Sequence, residues 1–301
     1  MQGNTVDQLA LIAEENSSLY QQLPSTTAIR LVQLAPGSEG EIIRCRLLVI
    51  DKLEEAPSYE ALSYWWGSIQ NPQEVQCGTR AFTVSDNLFH VLARMRHQEK
   101  ERVLWIDAMC INQHDLLECG SQVSTMRHIY TGAHRVLVWL GTAEMTDYSP
   151  LETMKGVTRS FCEDDAMSER ACLDMLRKIS PLNRERMLSK WDAAHTSIAD
   201  TDESRWRQLV QFFEILWFYR VWVIQEEQSC REVQVLHGNQ TIDWIMVRLA
   251  ASLIRVTQIG RQILSYCRQN NHGLFQGVEQ VYFMGLKELT TADPSWMSCV
   301  R

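Results

Sequence analysis

Two short apolar runs separated by a helical segment constrain the fold of this chain more than any other feature. Residues 103–111 and 135–140 are almost continuously apolar, as expected of strands buried on both faces. Residues 116–130 between them have helical periodicity, and four side chains are expected to face inwards: Val123, Met126, Ile129 and Tyr130. A further helix is expected to begin after Ser85 or Asp86. A strand, a helix and a second strand in this order are typical of α/β proteins.

Other segments add strands and tight turns to this unit. Apolar, partly β-branched stretches predict strands at residues 28–34, 41–53 and 59–66. Two β-hairpins are predicted where short strands flank glycine-containing turns, at residues 74–84 and 231–244. We therefore expect an α/β fold: an open, mostly parallel sheet with flanking helices, added β-hairpins and a helical insertion.

Composition divides the chain into three predicted parts. Residues 1–27 form an N-terminal helix and extension, residues 28–245 the main domain, and residues 246–301 a mostly helical C-terminal segment. Within the main domain, residues 142–203 are rich in charge and poor in β-branched side chains. This pattern predicts a helical insertion or lid, and its charge makes it the expected partner surface.

The charge balance and the cysteines exclude several classes of protein. The chain has 37 acidic and 29 basic residues, which is not the pattern of a general nucleic-acid binder. No apolar run is long enough to span a bilayer, and the N-terminus lacks the basic segment of a secretory signal. The nine cysteines include no C-x-x-C pair, so we expect reduced thiols, no metal site and a cytoplasmic protein.

Three segments resemble the sequence blocks of the HET (heterokaryon incompatibility) domain of filamentous fungi. The first block is Y-E-A-L-S-Y-W-W-G at residues 59–67. The second is L-W-I-D-A-M-C-I-N-Q at residues 104–113, closing on V-W-L-G at 138–141, and the third is W-F-Y-R-V-W-V-I-Q-E at 217–226. The resemblance covers about residues 28–245, which identifies the main domain as a HET domain.

Two positions depart from the family pattern. Ser68 stands where the family usually has an aspartate after the first block, and Cys119 stands where it usually has an arginine. A role that needs that carboxylate or that guanidinium is therefore not expected of this chain.

The HET family is distantly similar to the TIR domains of immune and cell-death proteins, which implies a TIR/flavodoxin-like core. Residues 220–226 resemble the TIR stretch in which an aromatic side chain precedes a glutamate by four residues. In TIR domains that cleave NAD this glutamate is catalytic, so the resemblance implies Glu226 as the catalytic residue. Cleavage of a glycosidic bond needs a carboxylate near the ribose, and Trp66 or Trp222 would supply a stacking surface. In the alternative reading, Glu226 pairs with Arg220 or caps a helix while Trp222 packs in the core.

Further binding residues are expected at the strand ends. Asp107 ends a predicted buried strand, so its carboxylate either contacts a ligand or accepts from backbone amides of the next helix. Asn112 lies in the turn that follows, where an amide side chain binds either loop backbone or a ligand. Ser63 lies at the end of its strand, and Glu118 early on its helix is a second-rank binding residue.

Two further expectations concern neighbouring side chains. The alternation of a strand places the indoles of Trp65 and Trp66 on opposite faces, so at most one of them lines a pocket and the other belongs to the core. Cys110 and His114 resemble a nucleophile and its base, but Cys110 is expected on a buried strand, where thiols are inert.

The resemblance implies a fungal protein of non-self recognition and programmed cell death. Its partners are then a second copy of the chain or an incompatibility partner protein, with a nucleotide or small molecule as ligand. No cofactor is expected, and NAD is the implied substrate if the domain is an enzyme. Two alternatives stay open: a non-catalytic, self-associating interaction module, and a HET scaffold reused as an enzyme of specialised metabolism.

Overall fold

The computed structural model describes two compact units of the chain. The first lies within Met1–Ala143 and Gln225–Asn239, and the second within Glu144–Ile224 and Gln240–Arg301. The described residues are 12, 14, 16–67, 71–142, 149–164, 171, 183, 186–189, 208–209, 211–219, 232–256, 277–278 and 281. Among them, no helix is both long enough and apolar enough to cross a membrane.

Among the described residues, the first unit has eight strands: β1 Ile29–Leu34, β2 Arg44–Ile50, β3 Glu60–Tyr64, β4 Gln73–Cys77, β5 Arg80–Val84, β6 Arg102–Trp105, β7 Arg135–Trp139 and β8 Val233–His237. They lie in one sheet, in the order β5-β4-β2-β1-β6-β3-β7-β8. Strands β6, β3, β7 and β8 form a parallel block, and β2 is parallel to β4. Strand β1 is antiparallel to β2 and β6, and β4 is antiparallel to β5.

This architecture confirms the α/β class but corrects the expectation of a mostly parallel sheet. The sheet is mixed because two pairs of consecutive strands, β1–β2 and β4–β5, are hairpins. A short loop can only join antiparallel neighbours, whereas parallel neighbours need a longer crossover. The predicted hairpin at residues 74–84 is present, with Gly78 in its turn at φ 61°.

Within residues 71–142 of the first unit, the structure describes three helices. Helix α1 (Asp86–Met95) begins as predicted, because the Ser85 side chain accepts a hydrogen bond from the Leu88 amide at 3.2 Å. Helix α2 (Asp107–Cys110) is a single turn, and α3 (Leu116–Gly132) is capped by the Asp115 carboxylate. These caps satisfy backbone N–H groups that would otherwise lack partners.

The predicted strand at residues 103–111 is wrong in its second half. Strand β6 ends at Trp105 and the chain turns into α2, so Cys110 lies on a helix. The apolar run contains the helix formers Ala108 and Met109, and the carboxylate of Asp107 bonds the next backbone amide. An apolar run of this length does not distinguish a long strand from a strand followed by one helical turn.

The inward face of α3 is also partly different from the expectation. Ile129 and Tyr130 are buried as predicted, but Val123 is 44% exposed and Met126 only half-buried. Gln122 is buried instead, and its amide donates to the Ala28 carbonyl at 2.8 Å. The helix therefore turns Gln122, Ile129 and Tyr130 into the core, whereas its apolar side chains Leu116, Leu117 and Val123 lie at the surface.

The second unit contains α4 (Pro150–Asp164), β9 (Gln240–Asp243), α5 (Trp244–Val256) and a 3-10 turn at Leu216–Tyr219. Helix α4 lies within residues 142–203, for which the helical insertion or lid stays a prediction. Among the described residues of the second unit, five aromatic rings pack against one another in the core, with centroids 5.2 to 6.5 Å apart: Phe212, Phe213, Trp217, Phe218 and Trp244. Trp217 and Phe218, at the start of the third family block, therefore belong to the hydrophobic core of the second unit.

Candidate functional site at the ends of β3 and β6

Trp66 and Asp107 follow neighbouring parallel strands and meet beyond their carboxyl ends. Strand β3 ends at Tyr64 and β6 at Trp105, and Ala61 pairs with Trp105 in the parallel register. The Trp66 indole Nε1 donates to Asp107 Oδ2 at 2.9 Å. Open α/β sheets bind ligands at this edge, beyond the carboxyl ends of their parallel strands.

Asp107 has donors on both of its carboxylate oxygens. Besides the indole, the Ala108 backbone amide donates to Oδ1 at 2.7 Å. Gln113 Nε2 donates to the Asp107 carbonyl at 3.0 Å, which holds the following turn against the start of α2. The bond to a backbone amide of the next helix, one of the two predicted roles, is therefore present. Asp107 is half-buried.

The expectation that one of the two neighbouring tryptophans, Trp65 or Trp66, belongs to the core is wrong. Trp65 is 43% exposed and Trp66 is half-buried, so neither belongs to the core. Strand β3 ends before both, and Gly67 turns the chain at φ 77°, so strand alternation does not apply to them. Ser63 lies inside β3 and is fully buried, at 1% exposure.

Asn112 organises the turn between α2 and α3. Its side-chain oxygen accepts a hydrogen bond from the His114 backbone amide at 3.2 Å. The backbone amide of Asn112 donates to Glu118 Oε1 at 2.7 Å. Cys119, at the position where the family usually has arginine, donates its thiol to the Asn112 carbonyl at 3.4 Å. Asn112 thus binds loop backbone, which is the structural role that sequence analysis left open.

Glu118 is committed to a buried ion pair with Arg30 of β1. Arg30 NH1 lies 2.5 Å from Glu118 Oε1, and the two side chains are 1% and 9% exposed. Arg30 also donates to the carbonyls of Cys110 and Gln21, and its guanidinium lies 4.9 Å from the centre of the Tyr20 ring. The Arg30 side chain, which belongs to β1, thus contacts the N-terminal segment, α2 and α3.

Sequence analysis did not single out Arg30. The signal was present, because a cation in the middle of an apolar strand needs a buried partner. The partner could not be named, since Glu118 lies 88 residues away along the chain.

The thiols near this edge are those of Cys110 and Cys119. Cys110 is fully buried, and burial raises its pKa to about 12, as expected of a structural cysteine. Its sulfur accepts from the Ile106 amide at 3.3 Å. Burial also raises the pKa of Cys119. Among the described residues, no group of three histidines, cysteines or carboxylates could hold a metal ion.

A cavity of about 560 Å³ lies elsewhere in the first unit, between α1 and the loop after β1. Its walls include Phe89, His90, Arg94 and Trp139, and none of the predicted site residues lines it. Arg94 donates to the carbonyls of Gly238 and Asn239 at 3.3 and 3.2 Å, which fixes one wall. No sequence motif indicated this cavity.

Two predicted site residues, Glu226 and Trp222, lie outside the described residues. The site that the structure assembles therefore consists of Trp66 and Asp107 with the Asn112 turn beside them. Glu118 contacts this turn through the Asn112 backbone amide, whereas Ser63 is buried within β3.

Comparison with known proteins identifies the family. The model of the family described as "Heterokaryon incompatibility protein (HET)" matches residues 59–226, more than half of the chain. The chain is 29% identical over 252 residues to "Heterokaryon incompatibility protein 6, OR allele" of Neurospora crassa, covering 76% of this chain but only 36% of that relative. No solved structure matches significantly. The match over residues 59–226 includes both strand ends that carry Trp66 and Asp107, and the chain belongs to the heterokaryon incompatibility (HET) family.

Proposed function

We propose that this chain acts in heterokaryon incompatibility, as the domain that converts recognition of a non-self partner into programmed cell death. Family membership supports the process, and the name of the Neurospora relative agrees with it. The observation that carries the assignment of the site is the bond between Trp66 and Asp107. It brings the first and second family blocks together at the edge of the sheet where ligands bind.

The proposed chemistry of cell death is cleavage of NAD. The parallel block β6-β3-β7-β8 supports the TIR/flavodoxin-like core that the resemblance implies. In this proposal the Trp66 ring supplies a surface for a nicotinamide or adenine ring, and the Asp107 carboxylate accepts from ribose hydroxyls. Glu226, by its resemblance to the TIR glutamate, stabilises the positive charge that develops on the ribose.

The test combines toxicity with NAD measurement in one experiment. The chain is expressed from an inducible promoter in a filamentous fungus, as wild type, Glu226→Gln and Glu152→Gln. Glu152 is the matched control because its exposed carboxylate pairs with Lys155 on α4. We expect the wild type and Glu152→Gln to deplete NAD and kill the cells, and Glu226→Gln to do neither.

The outcomes separate the process from the chemistry. Cell death with intact NAD, equally strong in Glu226→Gln, would reject NAD cleavage and leave the incompatibility function in place. Absence of cell death in every strain, including strains that carry an incompatible partner allele, would reject the incompatibility function itself.

A second candidate is a self-associating interaction module without catalysis. The first turns of α3 favour it, because Leu116 and Leu117 are 83% and 88% exposed. Gly120 and Val123 continue the same face, and a side chain added at Gly120 would meet open space. Contiguous exposed apolar groups on a helix mark interaction surfaces more often than isolated ones do. In this alternative, cell death follows association and is indifferent to Glu226.

A further inference from the structure

Cys45 and Cys77 are direct neighbours on adjacent parallel strands. Cys45 on β2 pairs with Cys77 on β4 in the register of the sheet. Backbone hydrogen bonds from Gln76 to Ile43 at 2.9 Å and from Gly78 to Cys45 at 2.8 Å hold this register. Paired residues on neighbouring strands lie roughly 4.8 Å apart and point to the same face. That spacing falls within the Cα separation of about 4.4 to 6.8 Å that disulfides span.

The two thiols differ in burial and in the direction in which their pKa values are shifted. The Cys45 thiol donates a hydrogen bond to the Cys77 sulfur; this bond, together with burial, raises the pKa of Cys45. The same bond lowers the pKa of Cys77, and a bond from the Leu47 backbone lowers it further. Cys77 is half-buried, whereas Cys45 is 6% exposed. The more exposed Cys77 sulfur is therefore the expected nucleophile. The buried Cys45 thiol lies next to it, where it can attack an oxidised Cys77 and form the disulfide.

We propose that Cys45 and Cys77 are an oxidation site, at which a peroxide converts the two thiols into an intramolecular disulfide. The Cys77 thiolate attacks one peroxide oxygen, the O–O bond breaks, and Cys77 becomes a sulfenic acid, while the departing hydroxide takes up the proton that the Cys77 thiol lost and leaves as the first water. The Cys45 sulfur then attacks the Cys77 sulfur, its proton goes to the departing hydroxide, and water leaves. Two thiols and one hydrogen peroxide thus give one disulfide and two waters, with the thiols oxidised and the peroxide reduced.

The position of this pair gives the disulfide a structural effect. Strands β2 and β4 share only two register pairs, whereas β1 and β2 share six. The β4–β5 hairpin is therefore attached to β2 by a short stretch of strand pairing. A disulfide between Cys45 and Cys77 would link the two strands covalently at this place. The hairpin in turn holds the N-terminal segment, because Asn16 exchanges two hydrogen bonds with the Thr83 backbone. Oxidation would stabilise this side of the first unit.

Two other cysteines of the first unit, Cys110 and Cys119, are controls within the same molecule. Cys110 is fully buried and its pKa is raised to about 12, so it should resist oxidation. Cys119 is accessible enough to be labelled, but its thiol donates to the Asn112 carbonyl and its pKa is raised. Neither is paired in register with another cysteine in the described part of the chain.

The experiment treats the purified full chain with hydrogen peroxide under native conditions. Remaining thiols are then blocked with an alkylating reagent, and peptides are mapped by mass spectrometry without reduction. We expect a linked peptide containing Cys45 and Cys77 in the wild type and in Cys119→Ser, and none in Cys77→Ser. The oxidised wild type should gain roughly 5 to 10 °C in Tm, and dithiothreitol should reverse the gain.

The wild-type map decides the proposal even if a variant folds poorly. A Cys45–Cys77 link that forms only after the protein is unfolded in urea would overturn it. So would oxidation of Cys77 to sulfinic acid with Cys45 left free, since the inner thiol would then have failed to resolve the outer one.

Discussion

The Trp66 indole nitrogen lies 2.9 Å from a carboxylate oxygen of Asp107 and donates a hydrogen bond to it. The two residues are 41 positions apart, and each follows a strand of the parallel block. A hydrogen bond to an ionised acceptor is shorter and stronger than one between neutral groups. The bond therefore fixes the orientation of an aromatic ring and of a carboxylate at the same edge of the sheet.

Trp66→Phe removes the donor but keeps an aromatic ring. We expect it to lower the free energy of unfolding by about 1–3 kcal/mol, because the Asp107 carboxylate loses one of its partners. We also expect cell killing to be lost, because the carboxylate is no longer held in place. Denaturant unfolding of the purified protein measures the first effect, and colony survival after induced expression measures the second.

The matched control for this variant is Trp139→Phe. Trp139 also donates through its indole nitrogen, at 2.8 Å, but to the neutral amide of Asn87. We expect this control to lose at least as much stability and to kill normally at a temperature where it is folded. Normal killing by Trp66→Phe would mean that the bond to Asp107 is structural only.

Breaking the buried ion pair of Arg30 and Glu118 should cost much more than breaking an exposed one. Glu118→Gln leaves the Arg30 guanidinium buried and uncompensated, which costs about 3–5 kcal/mol. Glu152→Gln breaks the exposed pair with Lys155 on α4 and should cost less than about 1 kcal/mol. Both values come from the same denaturant titration. Equal losses in the two variants would show that Arg30 finds other partners once the carboxylate is neutralised.

Features set by local chemistry could be predicted from the sequence. The hairpin at residues 74–84 and the start of α1 after Ser85 depend on residues adjacent in the chain. The sequence also predicts Trp66 and Asp107 as site residues, one from a strand end and one from a polar group in an apolar run, and their role stays a prediction. Their mutual bond was not predicted, because it depends on β3 and β6 being neighbours in the sheet.

Features set by pairing over long distances could not be predicted. The order of the sheet places β1 between β2 and β6, and no local pattern encodes which strands pair. The exposure of Val123 has the same origin, since helical periodicity identifies an apolar face but not how much of the helix meets the sheet. The ion pair of Arg30 and Glu118 needed both the strand order and the start of α3.

The exposed leucines of α3 allow a test of self-association that leaves the fold intact. Leu116→Ser combined with Leu117→Ser should change the free energy of unfolding by less than about 1 kcal/mol, because both side chains are exposed. The Asp115 cap of the helix is retained. Analytical ultracentrifugation should then show a weaker oligomer than the wild type. An unchanged sedimentation profile at every concentration would remove α3 as the association surface.

Acidification should destabilise the fold through His237, the last residue of β8. Burial lowers the pKa of this imidazole from its ordinary value of 6.5. As the pH falls below about 6.5, His237 therefore becomes protonated in the unfolded chain while it stays largely neutral in the folded chain. The contribution of His237 to the free energy of unfolding is fully present above that pH, and it is lost as the pH falls through the pKa of His237 in the folded chain. Thermal unfolding at a series of pH values should thus give a falling Tm in acid.

The variant His237→Gln isolates this contribution from that of the other titrating groups. Glutamine cannot take up the proton, so the difference in Tm between wild type and variant should shrink as the pH falls from 8 to 5. The value at pH 8, where both the folded and the unfolded wild type hold a neutral imidazole, gives the cost of the substitution itself. A difference that stays constant across this range would show that His237 binds its proton equally well in the folded and unfolded chains.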